Sequence, residues 1–329
     1  MTFAPILERG LGEAETVQIT ITEIRTDVYM VYWKEMSGTT VTHIEDVQNE
    51  TVYTNITSPN QSFINLKGTL TKINHNKMDN KQKVVSLLKS IETGATEPVN
   101  YINANKYIQH NLAVADGLAG FGAVLQALPP NSAKANTLRV FQEGDFVFAH
   151  TEYNFFGPKI GFDIFRFEDD KIVEHWDNLQ ETAKPNPSGR TMIDGTTEIK
   201  DLDKTATNKE LVRNFVNDIL VNGKMEKLAA YYDGDNYIQH NPLIADKLSG
   251  LGKALDEWVK QGVTMKYDKI HKVLGEGNFV LVVSEGYLAG KHNSFYDLFR
   301  VEKEKIAEHW DTIEEIPVQE SWKNNNGKF

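Results

Sequence analysis

Two spacings of apolar residues divide the chain. In residues 1–75 apolar and polar positions alternate in short runs: "ETVQITITEI", "DVYMVYWKE", "TTVTHIEDV", "ETVYTNIT" and "SFINLKGTLTKI". A period of two is that of a half-buried strand, and the richness in Thr, Val, Ile and Tyr agrees. Turn residues at Ser37-Gly38, Gln48-Asn49 and Pro59-Asn60 separate the runs. Five strands without a helix do not readily close a barrel. One face or edge is therefore expected to be covered by another part of the chain or by a second subunit.

Beyond this segment the spacing becomes helical. Asp79 and Gln82 cap a run in which Val84, Val85, Leu88 and Ile91 face inward, and Gly94 ends it. Leu118, Phe121, Leu125 and Leu128 form a second run, closed by Pro129-Pro130. The period then returns to two in "GDFVFAHTEY", "IGFDIFRFED" and "KIVEHWDNLQ", with turns at Gly157-Pro158 and Asp169-Asp170. These read as consecutive antiparallel strands.

The same order then recurs. Thr207 and Glu210 predict a capping box before Leu211, Val212, Phe215, Val216, Ile219 and Leu220, with Gly223 as the stop. Leu248, Leu251, Leu255 and Trp258 form the second helix. "YIQHN" occurs at residues 107–111 and 237–241, and "FDIFRFEDDKIVEHWD" (162–177) is matched by "YDLFRVEKEKIAEHWD" (296–311). The offset is 130 residues at the first motif and 134 at the second. So steady a spacing means two copies of one domain. Helices followed by an antiparallel meander give each copy an α+β fold with helices on one sheet face. The predicted order is a small all-β domain (1–75), copy one (76–183), a polar linker (184–204), copy two (205–316) and a tail (317–329).

Composition narrows the function. The 329 residues include no cysteine, which excludes disulfides, thiolate metal sites and cysteine nucleophiles. A net charge of −11 without a basic run argues against nucleic-acid and anionic-membrane partners. No apolar stretch is long enough to span a bilayer and the first residues lack a secretory pattern, so the expected location is cytoplasmic.

The candidate chemistry follows from strand alternation. Asp163 shares a face with Phe165 and Phe167, and Asp297 shares one with Phe299 and Val301. A carboxylate in apolar company has a raised pKa, and when neutral it can donate a hydrogen bond to a developing oxyanion. In the repeated Glu-His-Trp-Asp string, Val173, His175 and Asp177 share one face, and Ile172, Glu174 and Trp176 the other. His175 with Asp177, and His309 with Asp311, are candidate acid–base pairs. Alternatively, Trp176 packs in a core or interface while His and Asp tie down loops. His110 and His240 of "YIQHN" are further catalytic candidates, with Tyr107 and Tyr237 as ligand-lining neighbours. His150, on a face with Phe146 and Phe148, is replaced by Val283 in copy two, which predicts that copy one is the more capable site. Phe165 and Phe299 complete the expected lining. No His-x-x-x-His string, glycine-rich phosphate loop or Gly-x-Ser-x-Gly is present, so no metal and no cofactor is expected.

The helix pair followed by "EGDFVFAH" and "FDIFRFEDDKIVEHWD" resembles the SnoaL-like branch of the nuclear transport factor 2-like superfamily, over residues 79–183 and 205–316. The resemblance implies two cone-shaped α+β barrels in tandem, each with a pocket between helices and a curved antiparallel sheet. The branch includes polyketide cyclases that perform an intramolecular aldol closure without a cofactor. Ketosteroid isomerase and limonene-epoxide hydrolase are distant relatives. By strand position Asp163 and Asp297 match the isomerase's oxyanion-binding acid, and Asp177 and Asp311 fall where a cyclase acid–base Asp lies. The isomerase's separate general-base Asp has no match. An epoxide hydrolase would need an Asp–Arg–Asp array, and Arg166 points to the other face. Residues 1–75, especially "TTVTHIEDVQNETVYTNITSPNQSFINLKGTL", look similar to the C-terminal half of MoaF-like, lipocalin-like β domains.

The implied activity is that of a cofactor-free lyase, isomerase or cyclase. It would act on a small carbonyl or polyketide-like compound by aldol or enolisation chemistry. The alternative is a non-catalytic small-ligand-binding or scaffold protein. The expected partners are a small apolar or carbonyl-containing molecule and the copies themselves, as a pseudo-dimer of repeats or a homodimer.

Overall fold

A computed structural model describes residues 17–70, 78–128 and 133–329, and the chain parts into two units between Lys77 and Met78. The last residues of the fifth predicted strand and the pair Pro129-Pro130 lie outside the described residues. Among the described residues no helix is long and apolar enough to cross a membrane.

In the first unit the five alternating runs become β1 (Ile19–Arg25), β2 (Val28–Lys34), β3 (Thr40–Asp46), β4 (Thr51–Thr57) and β5 (Phe63–Thr69). They form an antiparallel meander in chain order, turning where the turn residues stand. Gly38 takes φ +86° in the β2–β3 turn, a conformation that costs glycine little. Among the described residues β1 and β5 remain unpaired edges. Val28, Val31 and Val41 are buried, whereas β5 is exposed along its length.

The second unit holds both copies. Copy one comprises α1 (Asn80–Thr93), β6 (Ile108–Gln109), α2 (Gly117–Ala127), β7 (Lys134–Glu143), β8 (Phe146–Asn154), β9 (Pro158–Glu168) and β10 (Lys171–Glu181). Copy two comprises α3 (Thr205–Phe215), β11 (Ile238–Gln239), α4 (Leu248–Lys260), β12 (Met265–Glu276), β13 (Phe279–Leu288), β14 (Lys291–Glu302) and β15 (Lys305–Glu315). The sheets are ordered β6-β10-β9-β8-β7 and β11-β15-β14-β13-β12. Each is a four-stranded meander with a two-residue parallel strand from "YIQHN" at its edge.

The predicted box at Asp79 and Gln82 caps α1, and Gly94 ends it in the left-handed conformation. The predicted box at Thr207 and Glu210 does not form. The helix starts earlier, at Thr205, so both residues lie inside it, and after Phe215 it loosens into a π-helical turn over Val216–Val221. Two strands, β7 and β12, were not expected from the apolar pattern. A bulge between Ile172 and Glu174 also shifts the face of Ile172, which pairs with Phe167 and packs on the helix side rather than beside Trp176.

Each sheet is buried on both faces. On the inner face of copy one, Val84, Leu87 and Leu88 of α1 pack with Val147, Phe165, Phe167 and Tyr107; Val212, Phe215, Val280, Phe295 and Phe299 do so in copy two. The outer faces pack against each other. Phe148, Phe162, Ile164 and Trp176 meet Leu281, Val283, Tyr296, Leu298 and Trp310 in one continuous core. At its centre Asn178 donates to Thr312 O at 2.7 Å, and Thr312 is its own counterpart in the other copy.

The segments after β10 and β15 cross over. The linker Asn186 donates to Gln239 O (2.7 Å) and Ile244 O (2.8 Å) of copy two. The tail Asn324 donates to Asn111 O (2.8 Å) and Val114 O (2.9 Å) of copy one. Each copy is thus strapped by the segment that leaves its partner copy.

Candidate functional site

"YIQHN" and "EHWD" interlock across the parallel pairing of β6 with β10, in which Gln109 stands opposite His175. Alternation sends Gln109, Asn111, His175 and Asp177 to the inner face and His110, Glu174 and Trp176 to the outer one. On the inner face Gln109 Oε1 lies 3.1 Å from His175 Nδ1, and Asn111 Nδ2 donates to Asp177 Oδ2 at 2.6 Å. On the outer face His110 Nε2 lies 3.0 Å from Glu174 Oε1, and the His110 ring stacks on Trp176 at 4.6 Å. Copy two repeats every contact: Gln239–His309 at 3.0 Å, Asn241–Asp311 at 2.6 Å, His240–Glu308 at 2.8 Å and His240 on Trp310 at 4.7 Å.

The inner cluster contains a chain of hydrogen bonds. Tyr153 donates to Asp163 Oδ2 at 2.9 Å, and Asp163 Oδ1 lies 3.2 Å from His175 Nε2. Gln109 Oε1 also accepts the Asn111 N–H at 2.8 Å, so that atom is an acceptor and His175 Nδ1 must carry a proton toward it. Nε2 and Asp163 Oδ1 therefore share one further proton. Burial raises the pKa of Asp163 against the pull of His175, which favours the neutral acid. In copy two Tyr267 donates to Asp297 at 3.2 Å, and Asp297 Oδ1 lies 3.0 Å from His309 Nε2. Burial there opposes charge on His309, but the Asp297 bond and the two carboxylates override it and raise its pKa. Burial raises Asp311. Burial also holds both phenols, Tyr153 and Tyr267, well above their usual range, so they remain donors.

The second carboxylate of each cluster has an oxygen that accepts no hydrogen bond. Asp177 Oδ1 and Asp311 Oδ1 are buried without a hydrogen-bond partner. His175 and His309 retain 9 % and 8 % exposure. Phe165 stacks on His175 at 4.5 Å, and Phe299 lies tilted against His309 at 4.7 Å. Tyr107 and Tyr237 line the same interior. One donor atom from each of Asp163, His175 and Asp177, and likewise of Asp297, His309 and Asp311, lies within 4.8 Å of the others, close enough to share an ion. A hollow of about 400 Å³ opens elsewhere, lined by Glu143, Thr205, Lys209 and Arg213.

Several expected site residues lie outside this cluster. His110 and His240 are on the outer face, where their Nδ1 atoms reach strap carbonyls, Gly327 O and Thr191 O, each at 2.8 Å. His150 packs edge-on against Phe162 and meets Arg139 at 3.1 Å, and Phe146 and Phe148 join the core between the copies. The physical reason is shared: the outer sheet face is an interface rather than a pocket wall. The expected superiority of copy one cannot rest on His150. Gln109, Asn111, Tyr153, Gln239, Asn241 and Tyr267 were not among the expected site residues. Four of the six were already present in the repeated "YIQHN", at the positions alternating with its histidine.

A MoaF-like family model matches residues 1–71. No curated protein matches the sequence. IdmH, a candidate polyketide cyclase from Streptomyces antibioticus, is similar at 19% identity, over 32% of this chain and 93% of its own, with a TM-score of 0.28. An NTF2-like protein of unknown function from Cytophaga hutchinsonii is similar at 12% identity over 33% of this chain and 95% of its own, TM-score 0.28. A candidate β-lactamase from Burkholderia vietnamiensis reaches 33% identity over 17% of this chain, which spans only 53% of that protein, TM-score 0.17.

Proposed function

We propose that the chain is an acid–base enzyme of the isomerase or cyclase kind, acting beside the carbonyl group of a small, largely apolar or polyketide-like molecule. The observation that carries this reading is the Tyr–Asp–His–Gln chain set against a carboxylate with an oxygen that accepts no hydrogen bond. In copy one Asp177 Oδ1 accepts the proton α to the carbonyl. The proton shared by Asp163 and His175 passes to the carbonyl oxygen, giving an enol that can isomerise or add to a second carbonyl. Tyr153, which stays protonated, stabilises Asp163 as it becomes charged. Phe165 and Tyr107 supply the apolar wall. Copy two offers the same groups in Asp311, Asp297, His309 and Tyr267.

The test is deuterium uptake at the α-carbon of a panel of ketones and β-diketones in D₂O, followed by proton NMR. The wild-type chain should catalyse exchange on at least one member. Asp177→Asn combined with Asp311→Asn should lower that rate about 10²-fold or more with the fold retained. A wild-type chain inert toward the whole panel would count against the reading. A second reading, a non-catalytic binding or scaffold protein, is favoured by one fact. The same Gln–His and Asn–Asp contacts tie β6 to β10 and β11 to β15. If holding the fold is their only role, the double variant melts at lower temperature and no exchange is ever seen.

A further inference from the structure

We propose that the Asp297–His309–Asp311 cluster of copy two binds one divalent metal ion, and that Lys328 fills the equivalent place in copy one. The inference stands on geometry and does not depend on the reaction assigned above.

His309 is already set as a ligand. Its Nδ1–H is directed to Gln239 Oε1, whose identity as oxygen is fixed by the N–H groups of His240 and Asn241, each at 2.9 Å. Nε2 then faces Asp297 Oδ1 at 3.0 Å. A histidine that binds metal through one nitrogen and donates the other to a carbonyl oxygen has this arrangement. Asp311 is held from one side only: Asn241 Nδ2 takes Oδ2 at 2.6 Å, and Oδ1 is buried without a partner. A buried carboxylate oxygen left unpaired is costly, so something that binds it is favoured. Among the described residues no lysine or arginine pairs with Asp297 or Asp311.

Copy one shows what belongs there. The same orphan atom, Asp177 Oδ1, has the Lys328 ammonium 3.8 Å away, on a side chain only 4 % exposed. Glu314 anchors that ammonium at 2.5 Å. The counterpart of Lys328 in the linker strap is Arg190, likewise four residues after an Asn that docks the strap and directly after a glycine, but it turns away to Asp246 at 3.1 Å. The counterpart of Glu314 is the neutral Gln180, which accepts from Ile313 N. Copy two therefore lacks both the internal cation and its anchor. One imidazole and two carboxylates leave coordination positions open and suit Mn²⁺ or Zn²⁺. The ion replaces the proton held between Nε2 and Asp297 Oδ1 and releases it to solvent.

The experiment is calorimetric titration of the chelator-stripped full chain with MnCl₂ and with ZnCl₂, with EPR counting of bound Mn²⁺. The expected stoichiometry is one ion per chain. Asp311→Asn should weaken binding at least tenfold, and Lys328→Met should add a second ion that Asp177→Asn removes again. As a check needing no variant, Mn²⁺ should broaden the ¹⁵N signals of His309 and leave those of His175 sharp. No binding at millimolar metal, undiminished affinity in Asp311→Asn, a Lys328→Met chain that still takes one ion, or broadening of His175 alone would each overturn the proposal.

Discussion

Lys272 lies over the Trp176 ring at 4.2 Å and Arg139 over Trp310 at 4.3 Å, so each tryptophan carries a cation from the other copy. Burial lowers the Lys272 pKa from its ordinary 10.5 to about 8. Between those values the unfolded chain binds more protons than the folded one, so the burial penalty is relieved and stability rises with pH. Urea unfolding of the wild type against Lys272→Met should show the wild type gaining stability from pH 8 to pH 10. A difference that stays flat across that window refutes the assignment. Trp176 itself touches His110 and Phe146 but none of the inner cluster. Trp176→Phe should therefore cost on the order of 1–3 kcal/mol in denaturant unfolding while leaving any proton exchange by Asp177 in place.

At the level of strands, the tyrosine on each acid is the informative element. Tyr153 comes from β8, where its cross-strand partner is Ala135 of β7; Tyr267 comes from β12, where its partner is Gly286 of β13. The two copies thus place the phenol from opposite members of one strand pair. The neighbours changed to match. A Cβ on Gly161 would meet Tyr153 Cε2 at 2.4 Å, whereas copy two has Phe295 there, stacked on Tyr267 at 4.3 Å. The register that aligns His150 with Val283 aligns Tyr153 with Gly286, so comparing the copies residue by residue hides the equivalence. The motif faces were legible, because alternation along "FDIFRF" and "EHWD" separates Asp163, His175 and Asp177 from Trp176. Which face lined the interior was not, because both faces are buried and apolar. That ambiguity put His110, His150, Phe146 and Phe148 in the expected site. The strand β7 was missed because Lys134–Glu143 carries Asn, Thr, Arg and Gln among its apolar residues, and Arg139 is buried for the sake of the other copy. If the phenol position matters and its strand does not, Ala135→Tyr should rescue Tyr153→Gly. The single Tyr153→Gly variant should lose about 3–5 kcal/mol. The double variant should recover more than the sum of the single effects allows, as measured by a double-mutant cycle; simple additivity would mean that the swap is accidental.

For the whole second unit, the crossing straps make the two copies depend on each other in both directions. The linker after β10 docks on copy two through Asn186, and its Asp194 O accepts the Trp310 Nε1–H at 2.8 Å. The tail after β15 docks on copy one through Asn324, holds His110 through Gly327 O, and ends with Phe329 stacked on His271 at 3.9 Å. Neither copy is complete alone, because each outer sheet face would expose an apolar surface built from Phe148, Phe162 and Trp176 or from Leu281, Tyr296 and Trp310. Burying such a face stabilises the pair by about 25 cal/mol per Å² of apolar area, and the straps add specific hydrogen bonds at its rim. Cutting the covalent link should therefore not separate the copies, provided each piece keeps its own strap. Residues 78–204 and 205–329, co-expressed as separate chains, should co-purify and elute together on size exclusion. Ending the second piece at residue 316 should raise the dissociation constant at least tenfold, since the Asn324, Gly327 and Lys328 contacts go with it. Ending the first at residue 183 should weaken the pair comparably through Asn186 and Asp194. Two pieces that elute apart with both straps intact would show that the covalent linker, rather than the sheet faces, keeps the copies together.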